Sequence, residues 1–366
     1  MILLKGLKHL ATLGVVLLVL ATAFAAWSVR IPPAEMGKGC LVWFAFPYLW
    51  LLTVAVGVVC FAFKGWFQFF CCLVAAVATW GSARLVVDVP SSDSEAEPCR
   101  LKVVTYNVHY MSHAKEMTLD HVRDSLFSFL LNSDADVICL QEAPRMEHLE
   151  TKDAPQDPGV RLLKKYPYRV NGTDRNLGQM TLSRHKMTEV PGSTATFNRA
   201  QRKGAIVATD IFIGADTFRI VNCHLASLAL TDSEIEAVNS KRDVSDERKS
   251  RLHQTYAKMK KAFDERQEEV EILKAFLGQT KTPVIVCGDF NDTPISYTYH
   301  TLTSGAHALR DARTPRGLGL AKTYRGALPP LRIDYILTSE GIRTSGYEVY
   351  DLPVSDHRGV GVRFER

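Results

Sequence analysis

The sequence predicts an α/β domain behind a group of three membrane-spanning helices, and three observations carry that expectation. Residues 1–87 hold three apolar spans, at about 9–29, 40–63 and 66–87, each close to the ~20 residues that a membrane-crossing helix needs. From residue 101 to residue 366 short apolar runs alternate with stretches of three-four helical spacing, the pattern of strands interleaved with helices. Nearly every one of those runs breaks off at Asn, Gln-Glu, His or Asp, which places polar side chains together at the edge of a sheet.

The stretch from Leu10 to Val29 carries no charge, and Trp27, Trp43, Trp50, Trp66 and Trp80 fall near span ends, where an aromatic belt lies. Lys5 and Lys8 ahead of an apolar centre ending Ala21-Thr22-Ala23-Phe24-Ala25-Ala26 also resemble a secretory leader. The apolar run is longer than a leader core, which favours an uncleaved helix and an integral membrane protein held in the bilayer by three helices. A buried helical hairpin of a soluble protein is the other reading of such spans. Basic residues flank the spans almost evenly, with Lys5, Lys8 and Lys64 on one side and Arg30, Lys38 and Arg84 on the other. The N-terminal pair tips the balance towards a cytoplasmic N-terminus, which puts the domain at 101–366 outside the cytoplasm. Residues 88–100, with Pro90, Ser91, Ser92, Ser94 and Pro98 among acids, have the composition of an exposed linker.

Charge is mild. Of the net +5, residues 1–100 carry +2, so the α/β region carries only +3, too little to argue for a nucleic-acid partner. The eight cysteines show no metal-type spacing and no disulfide framework; Cys139, Cys223 and Cys287 each lie in a strand-like apolar run, as small buried hydrophobes do.

Strands are expected at 101–107, 137–141, 179–183, 205–212, 218–223, 284–287, 333–338 and 359–364, and helices at 120–131 and 251–277. In the long helix Leu252, Tyr256, Met259, Phe263, Val270, Leu273 and Leu277 form a packing stripe interrupted by Arg266, with an oligomerising coiled coil as the alternative. No protein partner is evident. In the run 283–292, Gly288 allows a tight turn as the strand leaves the sheet, and Asp289 and Asn291, two residues apart, point the same way. An Asx turn is the alternative reading of that Gly-Asp-x-Asn.

The polar residues that close the runs are Asn107, Gln141-Glu142, His224, Asp289, Asp334 and Asp356-His357. Together they suit metal-assisted attack of water on a phosphoester. Hard oxygen donors from Glu142, Asn107 and Asp356, with no thiolate, favour Mg²⁺ or Mn²⁺. Zn²⁺ would want histidines closely spaced, a serine hydrolase would want a Gly-x-Ser-x-Gly elbow, and a glycosidase would leave the histidines without work.

Thr105-Tyr106-Asn107, Leu140-Gln141-Glu142, Gly288-Asp289-Phe290-Asn291, Arg332-Ile333-Asp334-Tyr335-Ile336 and Ser355-Asp356-His357 resemble the motif series of the endonuclease/exonuclease/phosphatase superfamily, to which deoxyribonuclease I belongs. Gly178 to Arg184 resembles its central strand and Asn222-Cys223-His224-Leu225 its His-Leu strand. The resemblance implies a four-layer α/β/β/α sandwich. It implies Glu142 as principal Mg²⁺ ligand with Asn107 beside it and Asp356 as a further or water-mediated one. It implies Asp289 as the group that deprotonates water, Asn291 as a holder of nucleophile or phosphate, His224 and His357 on the phosphoryl oxygens, and Asp334 paired with His357. Arg325 and Lys203, in rim loops, are candidate phosphate contacts, with surface salt bridges the duller alternative. Residues 229–250 are a polar, charge-mixed insertion beginning at the rim, read as a lid or as a solvated helical extension. The expected activity is phosphodiesterase or phosphatase, with a lipid headgroup favoured for a tethered domain. An extracytoplasmic nuclease of the same mechanism and an inactive membrane-tethered binding module are the alternatives.

Overall fold

The structure, a computed structural model, describes residues 2–90, 100–111, 118–144, 146, 149, 154–172, 178–200, 205–228, 230, 234, 246–315, 317–320, 322–326 and 331–365. The strands are β1 (Val87–Asp88), β2 (Leu101–Asn107), β3 (Val137–Gln141), β4 (Tyr168–Asn171), β5 (Met180–Ser183), β6 (Met187–Glu189) and β7 (Ile206–Ile213). They continue with β8 (Asp216–His224), β9 (Val284–Asp289), β10 (Arg310–Asp311), β11 (Gly319–Leu320), β12 (Asp334–Thr338), β13 (Arg343–Tyr350) and β14 (Gly359–Glu365). The helices are α1 (Ile2–Trp27), α2 (Pro33–Met36), α3 (Val42–Ala62), α4 (Trp66–Ala78), α5 (Trp80–Val86), α6 (Leu119–Asn132), α7 (Pro158–Lys165), α8 (Ser193–Phe197), α9 (Asp246–Leu277) and α10 (Tyr297–Thr303).

Two six-stranded sheets, ordered β13-β14-β2-β3-β5-β4 and β10-β12-β9-β8-β7-β6, stack face to face. Alternation along each strand explains the layering. Val103, Val137, Cys139, Ile220, Ile285, Cys287, Ile336 and Val362 turn into the space between the sheets. Val104, Tyr106, Ile138 and Leu140 turn the other way, against α6 and α7, and Val221, Val286 and Leu337 turn against α9 and α10. The result is the four-layer α/β/β/α sandwich. All three strand cysteines are buried, as their apolar surroundings predicted.

Every strand expected from the sequence is present within a few residues. Of those that its spacing did not show, β1 and β11 form a separate two-stranded pair, and β4, β6, β10 and β13 are the four outer strands of the two large sheets. Outer strands have one neighbour and a solvent side: β4 is exposed or half-buried throughout and β13 carries a register shift between Ser345 and Glu348, so neither presents an unbroken apolar run.

Among the described residues two helices are long and apolar enough to cross a membrane, Gly6–Arg30 and Pro33–Ala62. The third expected span is not one straight helix: α4 and α5 meet at Thr79 with a bend of 62°. Hydrogen bonds stitch the bundle, from Thr22 Oγ1 to Thr53 Oγ1 at 2.8 Å, from Gln68 Nε2 to Thr12 Oγ1 at 2.7 Å and from Trp50 Nε1 to the Ala76 carbonyl at 3.3 Å.

Most of the linker expected at 88–100 lies outside the described residues, and the domain meets the N-terminal helices directly. Ala25, Val29, Trp43, Phe46 and Ala83, at the ends of α1, α3 and α5, share one apolar cluster with Phe263 of α9 and Ile295. The Ala34 N–H donates to Gln267 Oε1 at 3.0 Å, Arg313 pairs with Asp88 and reaches the Arg84 carbonyl at 2.6 Å, and β1 pairs with β11. The long helix is therefore a packing element rather than a coiled coil: its C-terminal half covers a sheet and Phe263 meets Trp43 edge-on at 6.1 Å. Most of the insertion at 229–250 lies outside the described residues.

Candidate active site

Register brings the polar ends together. Parallel pairing sets Asn107 beside Gln141 and His224 beside Asp289, and antiparallel pairing sets Asp334 opposite Asp289. Asp334 opens β12 and Asp356-His357 precede β14, so these residues sit at strand starts rather than at the strand ends that the sequence suggested. Both strands run antiparallel to their neighbours, and their starts lie at the same edge as the other strands' ends. Beneath that edge the two sheets are joined by Gln141, whose Nε2 donates to Asn222 Oδ1 at 2.7 Å.

Gly288 has a different role from the expected turn. It stays within β9 at φ 132°, and a Cβ there would stand 2.0 Å from the Cys223 carbonyl oxygen, so β8 and β9 approach through it. The chain turns just beyond. Asn291 takes a left-handed φ of 51° and its N–H donates to Asp289 Oδ1 at 2.8 Å, an Asx turn built into the site. The Asx turn is the reading that the structure bears out, and this turn rather than a two-residue strand period brings Asn291 Nδ2 to 3.2 Å from Asp289 Oδ2. Glu142 is likewise held left-handed, at φ 51°, over Gly178, where a Cβ would fall 2.5 Å from the Ala143 carbonyl.

Asn107, fully buried, donates through Nδ2 to Asp289 Oδ2 at 2.9 Å and to Glu142 Oε1 at 3.1 Å, and its Oδ1 accepts from the His109 N–H at 3.0 Å. It therefore presents amide nitrogen, not oxygen, to the two carboxylates. His224 Nε2 lies 3.4 Å from Glu142 Oε1 and 3.9 Å from Asp289 Oδ2. His357 Nδ1 sits 3.1 Å from both Asp334 oxygens, with Nε2 3.7 Å from Asp289 Oδ2. Asp289, Asp334 and His357 are close enough that one atom from each lies within 4.8 Å of the others, a group able to hold a metal ion.

Burial pushes the Asp289 carboxyl above its ordinary value, opposed by His357 and reinforced by Asp334. Burial alone would lower the His357 imidazole, but the Asp334 and Asp289 carboxylates outweigh it and push it up to about 10.

One participant was not read from the sequence. His109 Nδ1 stands 3.1 Å from Asp356 Oδ1 and 3.9 Å from Glu142 Oε2, and hydrogen bonding to Asp356 raises its pKa. Its signal was the spacing: Asn107-Val108-His109 repeats the two-residue step of Asp289-Phe290-Asn291. Tyr324 stands edge-on to the His357 ring at 5.2 Å. Of the rim candidates, Lys203 lies outside the described residues; the Arg325 side chain pairs with Asp351, while its backbone N–H donates to the Asp356 carbonyl at 2.7 Å.

The cavity around these groups, ≈ 190 Å³, is lined by the polar Glu142, Asp289, Asn291, Asp356 and His357 and by the apolar Phe44, Leu228, Leu230 and Leu331.

Residues 104–357 match the Endonuclease/Exonuclease/phosphatase family, and the chain belongs to it. Its members are generally phosphoester hydrolases and typically depend on a divalent metal. No curated protein matches. Among solved structures, the human Nocturnin catalytic domain with bound sulfate is similar at 18% identity over 75% of this chain and 97% of that one, with a TM-score of 0.47. An endonuclease/exonuclease/phosphatase from Bacteroides vulgatus is similar at 16% identity over 72% of this chain and 98% of that one, with a TM-score of 0.45. D. rerio TDP2 complexed with a single-strand DNA product is similar at 14% identity over 73% and 99%, with a TM-score of 0.46.

Proposed function

We propose that the protein is a membrane-embedded, divalent-metal-dependent hydrolase of a phosphoester in a lipid headgroup. The observation that carries this reading is Phe44: it belongs to the first turn of the apolar helix α3 and lines the same cavity as Glu142, Asp289 and His357. A headgroup in an adjoining leaflet would lie near that position, because the apolar helix that would enter the bilayer also forms part of the cavity wall.

The donor set fits a hard cation. Four carboxyl groups, of Glu142, Asp289, Asp292 and Asp356, line the cavity, and among its described lining residues there is no lysine or arginine. An anionic phosphoester entering there needs countercharge, and oxygen donors without thiolate suit Mg²⁺, with Mn²⁺ served by the same chemistry. Glu142 would hold the ion, with Asp356 across His109, while Asn107 keeps its amide nitrogen on Glu142 and Asp289 and so fixes both carboxylates. When bound, the ion supplies Lewis-acid polarisation of the phosphoryl oxygen.

The chain's own residues do the rest. Asp289, its oxygens oriented by Asn107 and the Asn291 N–H, accepts the proton of the attacking water. Asn291, anchored by donation to the Leu225 carbonyl at 2.9 Å, helps position that water. Asp334 keeps a proton on His357 Nδ1, so that His357, which lines the cavity, donates from Nε2 to oxygens that gain charge in the transition state, and His224, 3.4 Å from Glu142 at the cavity edge, assists.

Hydrolysis of bis(p-nitrophenyl) phosphate by the full chain is expected to stop with EDTA and return with Mg²⁺; activity that survives chelation would remove the metal. Given phosphatidylethanolamine, phosphoinositide and sphingomyelin vesicles beside plasmid DNA, the enzyme is expected to consume a lipid, and preference for DNA would overturn the lipid reading.

The ends of α1, α3 and α5 that meet the domain all lie on one side of the bundle, as three crossings would require with the bent pair as the third, and the Lys5–Lys8 pair argues for a cytoplasmic N-terminus. Protease added outside intact cells is expected to cut the catalytic domain and spare an N-terminal tag. The opposite pattern inverts the topology.

A further inference from the structure

A second cavity, ≈ 280 Å³ and almost wholly apolar, lies between α3 and the catalytic domain. Its walls include Phe44 and Leu51 of α3, Leu228, Met259 of α9, Ile295 and Leu331. It adjoins the catalytic cavity, and Phe44, Leu228, Leu230, Thr293 and Leu331 line both. Of the two neighbouring cavities, the catalytic one carries carboxylates and histidines. The other runs down α3 to Leu51, which is 55% exposed and, seven residues beyond Phe44, stands about 10 Å further along the helix axis at 1.5 Å per residue.

Resting on the lipid reading above, we infer that this cleft seats the upper part of one acyl chain of the substrate while its headgroup phosphoester occupies the catalytic cavity. The pair of cavities has the two-ended chemistry of a phospholipid: a phosphate among polar groups, then hydrocarbon against Phe44, Leu228, Met259 and Ile295. The volume falls just below the ~300–1,000 Å³ usual for ligand cavities, enough for part of one chain and not for a whole lipid. The remainder stays in the bilayer, which the open, lipid-facing side of α3 allows. A soluble phosphoester would leave this apolar wall wet and unused.

The test uses the full chain and two variants that narrow the cleft away from the catalytic groups, Leu51→Trp on the exposed side and Met259→Trp on the domain side. For each, kcat/KM is measured on a long-chain phospholipid in vesicles and on bis(p-nitrophenyl) phosphate. The ratio of the first to the second is expected to fall at least about tenfold, since small changes of apolar fit in a pocket are worth roughly 10–200-fold. An unchanged ratio in both variants overturns the inference while leaving lipid hydrolysis standing. A readout independent of turnover separates the two ideas: the Asp289→Asn protein is irradiated in phosphatidylethanolamine vesicles whose acyl chain bears a diazirine. Adducts on the peptides holding Leu51, Met259 or Ile295 support the seat. Adducts confined to the outer faces of α1 and α4, or crosslinks between two copies of the chain, overturn it. Wild-type protein that cleaves DNA and no phospholipid overturns the lipid reading itself.

Discussion

Replacing Asp289 by alanine is expected to lower kcat at least about a hundredfold, the lower part of the ~10²–10⁴ that a positioned general base contributes. Asp289 is 1% exposed, its Oδ1 accepts the Asn291 N–H and its Oδ2 the Asn107 amide, so its orientation is set before substrate arrives. Burial raises its pKa, so its ionisation occurs above the ~3.9 of a free aspartate. The acidic limb of a kcat–pH profile at constant Mg²⁺ should accordingly lie above that value and disappear in Asp289→Ala. Near-normal turnover in the variant would remove Asp289 from the chemistry.

His357→Ala is expected to cost a similar factor, about a hundredfold in kcat, by removing a charged donor to the phosphoryl oxygens. The sign of the pH effect follows from the pair. The imidazole is raised to about 10 in the folded protein against about 6.5 when free, so the stability that it contributes is fully present below about 6.5 and is lost as pH climbs through about 10. Activity that needs protonated His357 should therefore persist into the alkaline range. Asp334→Asn removes the carboxylate 3.1 Å from Nδ1 and should move the alkaline limb towards neutral. Measuring kcat across pH in both variants checks this; an alkaline limb that stays in place in Asp334→Asn would show that the pair does not govern it.

The interior strands and their polar termini were legible because burial on both faces leaves unbroken apolar runs, such as Val284 to Cys287, that stop where chemistry starts. The outer strands were not, since β4 and β13 owe their pairing to a neighbour rather than to a pattern of their own. Asn107, Glu142, His224, Asp289, Asn291, Asp334, Asp356 and His357 were named from their positions next to those runs. What could not be read was orientation: that Asn107 turns its amide nitrogen to Glu142 and Asp289, that Arg325 pairs with Asp351, and that His109 stands between Glu142 and Asp356.

The sequence by itself determined the class of fold, the family and the eight polar residues at the sheet edge, because hydrophobic periodicity and short motifs are local properties of the chain. The tertiary structure alone decided what faces them. Phe44 is more than 240 positions from Asp289 and belongs to a span that reads as membrane anchor, yet both line one cavity. That meeting depends on Trp43 and Phe44 packing against Phe263 and on Arg313 holding Asp88, contacts between distant segments that no local pattern announces. The first turn of α3 in this way lines the candidate site, and the physical reason is burial: the apolar ends of α1, α3 and α5 leave water by closing against α9 and the loop at Ile295.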